Sequence, residues 1–203
     1  MNNITPFSAL LGGSLMSLAL IAHANVPFAI NDKSFDQYSW VTTHNSYEKI
    51  NQNLAELPRQ LRDGVRGFML DLYVNDTNKA AEVIKVCHKT IACYGAWSNQ
   101  LKNEFIPFLK DNPSEVVTLF LETYVERKHL QTVFETIPEL AHYSFNPDNF
   151  SGSNWPTLGE MAKNNNRLIL LTDRAHVSGD YTVNGKTITV LYESDWVVSN
   201  HWS

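Results

Sequence analysis

Two histidines, an asparagine and two carboxylates stand at or just past the ends of separate apolar runs in this chain. His44 and Asn45 fall in T-T-H-N-S, Asp71 in G-V-R-G-F-M-L-D-L-Y, His88 in V-C-H-K, and Glu122 in V-V-T-L-F-L-E-T. A histidine near its ~6.5 reference pKa serves as either base or acid close to neutral pH. Asn45, Asp71 and Glu122 are oxygen donors of the kind a hard cation such as calcium takes, with substrate and water completing the shell. Breaking a phosphate diester needs a base for the attacking hydroxyl, an acid for the departing alkoxide, and positive charge against the phosphoryl oxygens. The two imidazoles supply the base and the acid, and a cation on the oxygen donors would supply the charge. The set does not force a metal, because two carboxylates beside two imidazoles also raise the histidines' proton affinity.

Those side chains can meet only if the elements carrying them aim them at one point. Side chains alternate faces along a strand. Over Gly67 to Tyr73, Asp71 shares a face with Met69 and Gly67, while Phe68, Leu70 and Leu72 take the face suited to packing under helices. Glu122 goes with Phe120 and Thr118, His88 with Val86, and His44 with Thr42. One consistent face thus points all four at a barrel mouth. Strand C-terminal ends are where a barrel of alternating strands and helices collects its catalytic groups. Arg66 sits at a strand's start and reads as structural.

The surrounding pattern alternates strand and helix. Short apolar runs at Trp40 to Thr43, Gly67 to Tyr73, Val83 to Cys87, Val116 to Leu121 and Leu168 to Thr172 predict strands. Leu54, Leu57 and Leu61, then Leu101, Phe105, Phe108 and Leu109, then Leu130, Val133, Phe134 and Ile137 keep helical spacing. Thr157 to Glu160 is a capping box. Asn184-Gly185 signals a hairpin, expected as an excursion from the barrel, and Trp196 to Val198 looks like one more strand. The fold class expected is α/β, a TIM-type (β/α) barrel. About six strands are countable, against eight in a closed barrel of ~250 residues. The barrel is therefore expected to be reduced or incomplete at its C-terminus, and the abrupt Trp202-Ser203 ending favours incomplete.

The 203-residue chain carries a formal net charge of -5 and 43% hydrophobic residues, as one globular domain does. Its first 24 residues hold no Lys, Arg, Asp or Glu, an apolar stretch from Ala9 to Ile21, and a small-x-small Ala22-His23-Ala24. A signal peptide over 1–24 is expected, ahead of a catalytic domain over 25–203, in a secreted protein, extracellular or periplasmic. A retained anchor is the alternative. The absence of any Lys/Arg run argues against nucleic acid and against strong electrostatic membrane docking. Cys87 and Cys93 flank His88 and suit a local disulfide, or else a buried cysteine and an unrelated thiol.

Other candidates read more plainly. His129 belongs to a solvated helix face, and His142, His176 and His201 to loops or the chain end. Arg174, just beyond Leu168 to Thr172, suits a phosphate or head-group ligand and equally an ordinary surface arginine. Tyr143, Phe145, Phe150 and Trp155 read as loop packing rather than a lipid-insertion rim.

The ordered strings T-H-N-S, G-V-R-G-F-M-L-D-L-Y, C-H, N-P-S-E-V-V-T-L-F-L-E-T-Y-V and W-P-T-L-G-E-M resemble secreted phosphatidylinositol-specific phospholipase C X-domain proteins. More broadly, the chain looks like the phospholipase-C-like phosphodiesterases, from about Ser39 to Asn200. The resemblance implies His44 as general base on the inositol 2-hydroxyl and His88 as general acid on the diacylglycerol oxygen. Products would be diacylglycerol and a cyclic, then hydrolysed, inositol phosphate. It also implies calcium on Asn45, Asp71 and Glu122, although metal-dependent members carry another acid where this chain has Met69. Metal-independent members place an Arg where Asp71 stands. The expected partners are a phospholipid or inositol phosphodiester and, transiently, a membrane surface, met by a monomer. Two alternatives keep the fold: another diester, such as a glycerophosphodiester or sphingophospholipid, and a catalytically silent lipid-binding protein.

Overall fold

The computed structural model describes residues 33–50, 52, 56–89, 92–152 and 155–198. The leader expected over 1–24, Leu54, His201 and the Trp202-Ser203 ending lie outside them. In chain order the elements are β1 (Thr42–Thr43), α1 (Leu57–Arg62), β2 (Gly67–Val74), β3 (Ile84–His88) and β4 (Ala92–Ala96). A helical segment follows: α2 (Trp97–Gln100), a π-helical stretch (Leu101–Phe105) and α3 (Ile106–Asp111). Then come β5 (Val117–Tyr124), α4 (Arg127–Glu135), α5 (Leu158–Lys163), β6 (Leu168–Thr172), β7 (Gly179–Val183), β8 (Lys186–Tyr192) and α6 (Glu193–Trp196).

The central strands are parallel. β2 pairs with β5 from Gly67↔Thr118 to Tyr73↔Tyr124, and β5 pairs with β6 from Val117↔Leu168 to Leu121↔Thr172. β8 then joins β6 in parallel through Leu171↔Leu191. The whole order is β4-β3-β2-β5-β6-β8-β7, with β1 sharing an edge of β2. Among the described residues the two ends of this order do not pair. The expected α/β, TIM-type architecture is present as an open sheet.

Alternation explains the layers. Phe68, Leu70, Leu72, Leu119 and Leu121 point outward and pack with Trp97, Phe105, Leu130 and Phe134. Each such side chain, fully buried, contributes about 1.5–3 kcal/mol. The concave face carries a second cluster around Phe145, Ile169 and Leu171, with Phe120, Trp155 and Trp196 against it. An apolar cavity of about 360 Å³ lies on this face between Gly67, Thr118, Phe120 and Leu171.

Three expectations change. The Asn184-Gly185 hairpin is only half an excursion: β8 is a strand of the main sheet and β7 alone folds back on it. Trp196 ends a helical turn instead of starting a strand. The run ending at His88 is antiparallel to β2 and doubles back into β4, so it is a hairpin on the barrel's edge, not a strand–helix unit. Arg66 is structural as expected, its Nε 2.6 Å from Glu115 Oε2 and its Nη1 donating to the Leu61 and Val65 carbonyls. The Thr157 capping box also forms, Glu160 N–H donating to Thr157 Oγ1.

Candidate active site

β1 and β3 occupy the same edge of β2 from opposite directions. β1 runs parallel to it at Thr42↔Gly67 and Thr43↔Phe68, while β3 runs antiparallel from Val74↔Ile84 to Leu72↔Val86. Their C-terminal ends therefore approach each other, and those ends carry His44 and His88. Both imidazoles act electrostatically on Asp71, each favouring its ionised form.

The turn after β1 is built to hold this position. Asn45 has φ 48, a left-handed conformation that asparagine tolerates better than most residues. Ser46 N–H donates to Met69 O at 3.0 Å and Met69 N–H to Ser46 Oγ at 2.9 Å, pinning the turn to β2. Gln60 of α1 fastens it from outside, its Nε2 donating to Ser46 O at 2.8 Å. The result leaves His44 exposed and buries Asn45, Ser46, Tyr47 and Glu48.

Glu48 reaches His88, with Oε1 2.7 Å from Nδ1. The carboxylate is mostly buried while the imidazole stays 41% exposed. One nitrogen of His88 is thus held and Nε2 is left to exchange protons. The Cys87–Cys93 disulfide forms beside it, across the β3–β4 pair, with a Cα–Cα distance of 4.0 Å.

Asp71 and Glu122 are register neighbours on β2 and β5. Burial raises the Asp71 pKa and the Glu122 charge raises it further, while a hydrogen bond from Tyr47 and the two histidines oppose this. Tyr47, itself 5% exposed, places its hydroxyl 3.3 Å from both Asn45 Oδ1 and the Cys87 carbonyl. Tyr124 donates to Glu122 Oε1 and stacks on Tyr73 at 4.4 Å between centroids. Asp173, past the end of β6, accepts from Thr123 N–H at 2.8 Å, and burial raises its pKa. Burial and the Asp173 charge likewise raise Glu193, after β8. Arg174 pairs with Asp173, its Nε 3.2 Å from Oδ2, and its guanidinium lies 5.9 Å from the Tyr124 ring.

The structure thus gathers His44, Asn45, Asp71, His88 and Glu122 at one rim and leaves Arg174 beside it, bound to Asp173. Tyr47, Glu48, Asp173 and Glu193 join them without having stood out among the sequence candidates. For Glu48 the one available clue is its place in the turn following T-H-N-S.

The oxygen donors expected to hold calcium are of the right type but already engaged. Asn45 and Asp71 accept from Tyr47, Glu122 accepts from Tyr124, and Met69 stands at the inward position before Asp71. Among the described residues no group of three or more His, Cys, Asp or Glu side chains is placed to hold a metal ion. Asn45, Asp71 and Glu122 would supply three oxygens toward a calcium shell of ~6–8, with water and substrate supplying the others.

The model of the PI-PLC X 1 family matches residues 30–200, and the chain belongs to that family of phosphatidylinositol-specific phospholipase C X-domain proteins. A PI-PLC X domain-containing protein of Arabidopsis thaliana is 34% identical over 167 residues, covering 72% of this chain and 38% of that protein. PI-PLC X domain-containing protein 1 of Arthroderma benhamiae is 26% identical over 151 residues, covering 70% of this chain and 48% of its own length. The chain thus spans less than half of these relatives. Among solved structures, the phosphatidylinositol-specific phospholipase C from Listeria monocytogenes superposes with TM-score 0.56 at 18% identity, over 80% of this chain and 60% of that one. The Staphylococcus aureus enzyme gives TM-score 0.57 at 14% identity, over 79% of this chain and 53% of that one. These likenesses establish the fold.

Proposed function

We propose that the protein is a phosphoric diester hydrolase or lyase that cleaves phosphatidylinositol-type lipids. The observation carrying this reading is the meeting of β1 and β3 on one edge of β2, which brings the strand ends with His44 and His88 together, both within electrostatic reach of Asp71. His44, exposed at the rim, takes the proton from the inositol 2-hydroxyl as its oxygen attacks phosphorus. His88 delivers a proton from Nε2 to the diacylglycerol oxygen as the P–O bond breaks. Glu48 on Nδ1 holds the ring's orientation, as a carboxylate behind a catalytic histidine does. Diacylglycerol and a cyclic inositol phosphate leave, and water opens the cycle with the two histidines exchanging roles.

The experiment is product analysis on phosphatidylinositol with wild type, His44→Ala and His88→Ala. Cyclic inositol phosphate from wild type, lost by a factor of ~10²–10⁴ or more in each variant, supports the reading. A wild type that binds lipid vesicles without turnover would make this a silent binding protein.

A second reading keeps the site and changes the head group. The stacked Tyr73 and Tyr124 rings beside Glu122 suit a cationic amine, as aromatic faces do. Turnover of a sphingophospholipid with phosphatidylinositol untouched would favour it. In both readings the protein is secreted, extracellular or periplasmic, and acts as a monomer at a membrane surface. Among the described residues no helix is long and apolar enough to cross a membrane.

A further inference from the structure

We infer that Tyr47 is the positioning residue that does in this chain what a bound cation would do: its phenol gathers Asn45, Asp71 and the end of β3 into one frame. This rests on the phosphodiesterase reading of the site. The ring is fixed on two sides, packed in the main core and against Tyr94 at 5.1 Å between centroids. The hydroxyl is thereby delivered to two oxygen acceptors, Asn45 Oδ1 at 3.3 Å and the Cys87 carbonyl at 3.3 Å, and it also acts on the Asp71 carboxylate, where it favours the ionised form. These belong to the turn carrying His44, the strand carrying His88, and β2 between them. A phenol has one O–H to give, so these oxygens compete for a single donor. An acceptor-rich pocket around one donor is also what a cation would organise. Calcium on Asn45 and Asp71 would compete with the Tyr47 hydroxyl for the same oxygens.

The geometry also accounts for Met69. Met69, two residues before Asp71 on the same inward face, offers no oxygen to a cation, and the Tyr47 hydroxyl requires none there. Tyr47 is therefore the element that couples the two histidine-bearing strand ends, and the frame stands without added metal.

The test compares wild type with Tyr47→Phe, which keeps the ring and removes the donor. Turnover of phosphatidylinositol is measured in chelator and in millimolar calcium, and calcium binding separately by titration calorimetry and by the shift in Tm. Wild type is expected to turn over equally in both buffers, with no saturable calcium heat and an unmoved Tm. Tyr47→Phe is expected to lose about ten- to a hundredfold in kcat with KM little changed, the scale of one buried hydrogen bond to a charged group. Calcium should then bind the variant, raise its Tm and restore part of its kcat, because Asn45 and Asp71 are released. A merely structural tyrosine would show no such rescue.

Saturable calcium binding to wild type that Asp71→Asn abolishes would overturn the proposal, and this arm needs no Tyr47 variant to fold. Undiminished turnover in Tyr47→Phe, or a loss that calcium leaves uncorrected, would overturn it as well. If wild type leaves phosphatidylinositol intact, the proposed reaction fails while calorimetry still decides on Tyr47. Calcium heat in the variant alone sustains it, and heat in both or in neither ends it.

Discussion

Glu48 Oε1 lies 2.7 Å from His88 Nδ1, joining a buried carboxylate in the turn after β1 to the last residue of β3. The contact spans 40 residues of sequence and ties together the two strand ends that meet on β2. It engages Nδ1 of His88 and leaves Nε2 as the nitrogen available for the proposed proton transfer. Replacing Glu48 by Gln keeps the size and removes the charge. The expected outcome is a fall of about tenfold or more in kcat with KM nearly unchanged, on the scale of a lost charge-assisted hydrogen bond. Steady-state kinetics on Glu48→Gln check this, and an unchanged kcat would remove Glu48 from the mechanism.

Gly67 sets how closely β1 can lie on β2. A Cβ there would stand 2.9 Å from both Cβ and Cγ2 of Thr42, closer than carbon atoms tolerate. Gly67→Ala should therefore push β1 outward and carry His44 with it, at a stability cost of about 1–3 kcal/mol from overpacking. Activity should fall further than the Tm loss explains, and Thr42→Gly in the same chain should recover part of both. Equal activity in Gly67→Ala and wild type would show that His44 does not depend on this approach.

The Cys87–Cys93 disulfide closes a short hairpin beside His88. Opening it by Cys87→Ser with Cys93→Ser should destabilise the fold by about 2 kcal/mol, the chain-entropy value for so short a loop. Turnover should drop in parallel as His88 loses its fixed edge. Thermal unfolding of the double variant and of the reduced wild type should agree, and a Tm equal to the oxidised protein's would contradict this.

Glu104 provides a pH test away from the site. Burial, with the Glu56 carboxylate adding to it, pushes its carboxyl up to about 7 from an ordinary 4.5, and among the described residues its buried Oε2 has no hydrogen-bond partner. The folded state therefore binds the proton more tightly than the unfolded chain does. Glu104's contribution to stability is fully present below pH 4.5 and is lost as pH rises through about 7. Glu104→Gln should raise Tm at pH 8, with the gain shrinking toward pH 5. A gain that grows on acidification would contradict the sign.

Much of this molecule is legible in its amino-acid sequence. Strand parity puts Asp71 and Glu122 on the inward face because β2 and β5 are covered on one side by helices and concave on the other. Period-2 alternation records that asymmetry directly. The Thr157 capping box and the structural role of Arg66 follow from local chemistry in the same way. Glu48 does not, because a contact across 40 residues between a turn and a strand end leaves no spacing to read. Tyr47 is hidden for another reason: its ring belongs to the core, and only its hydroxyl belongs to the site. The antiparallel course of β3 and the parallel pairing of β8 depend on which edge is open. That is a property of the assembled sheet, and apolar runs carry no direction.

Two imidazoles acting at one phosphorus are the centre of the proposed chemistry, and product analysis by phosphorus NMR tests it most directly. Wild type incubated with phosphatidylinositol should yield the cyclic inositol phosphate signal, and neither His44→Ala nor His88→Ala should yield it on the same timescale. A signal of equal size from either variant, with both proteins folded, would contradict it.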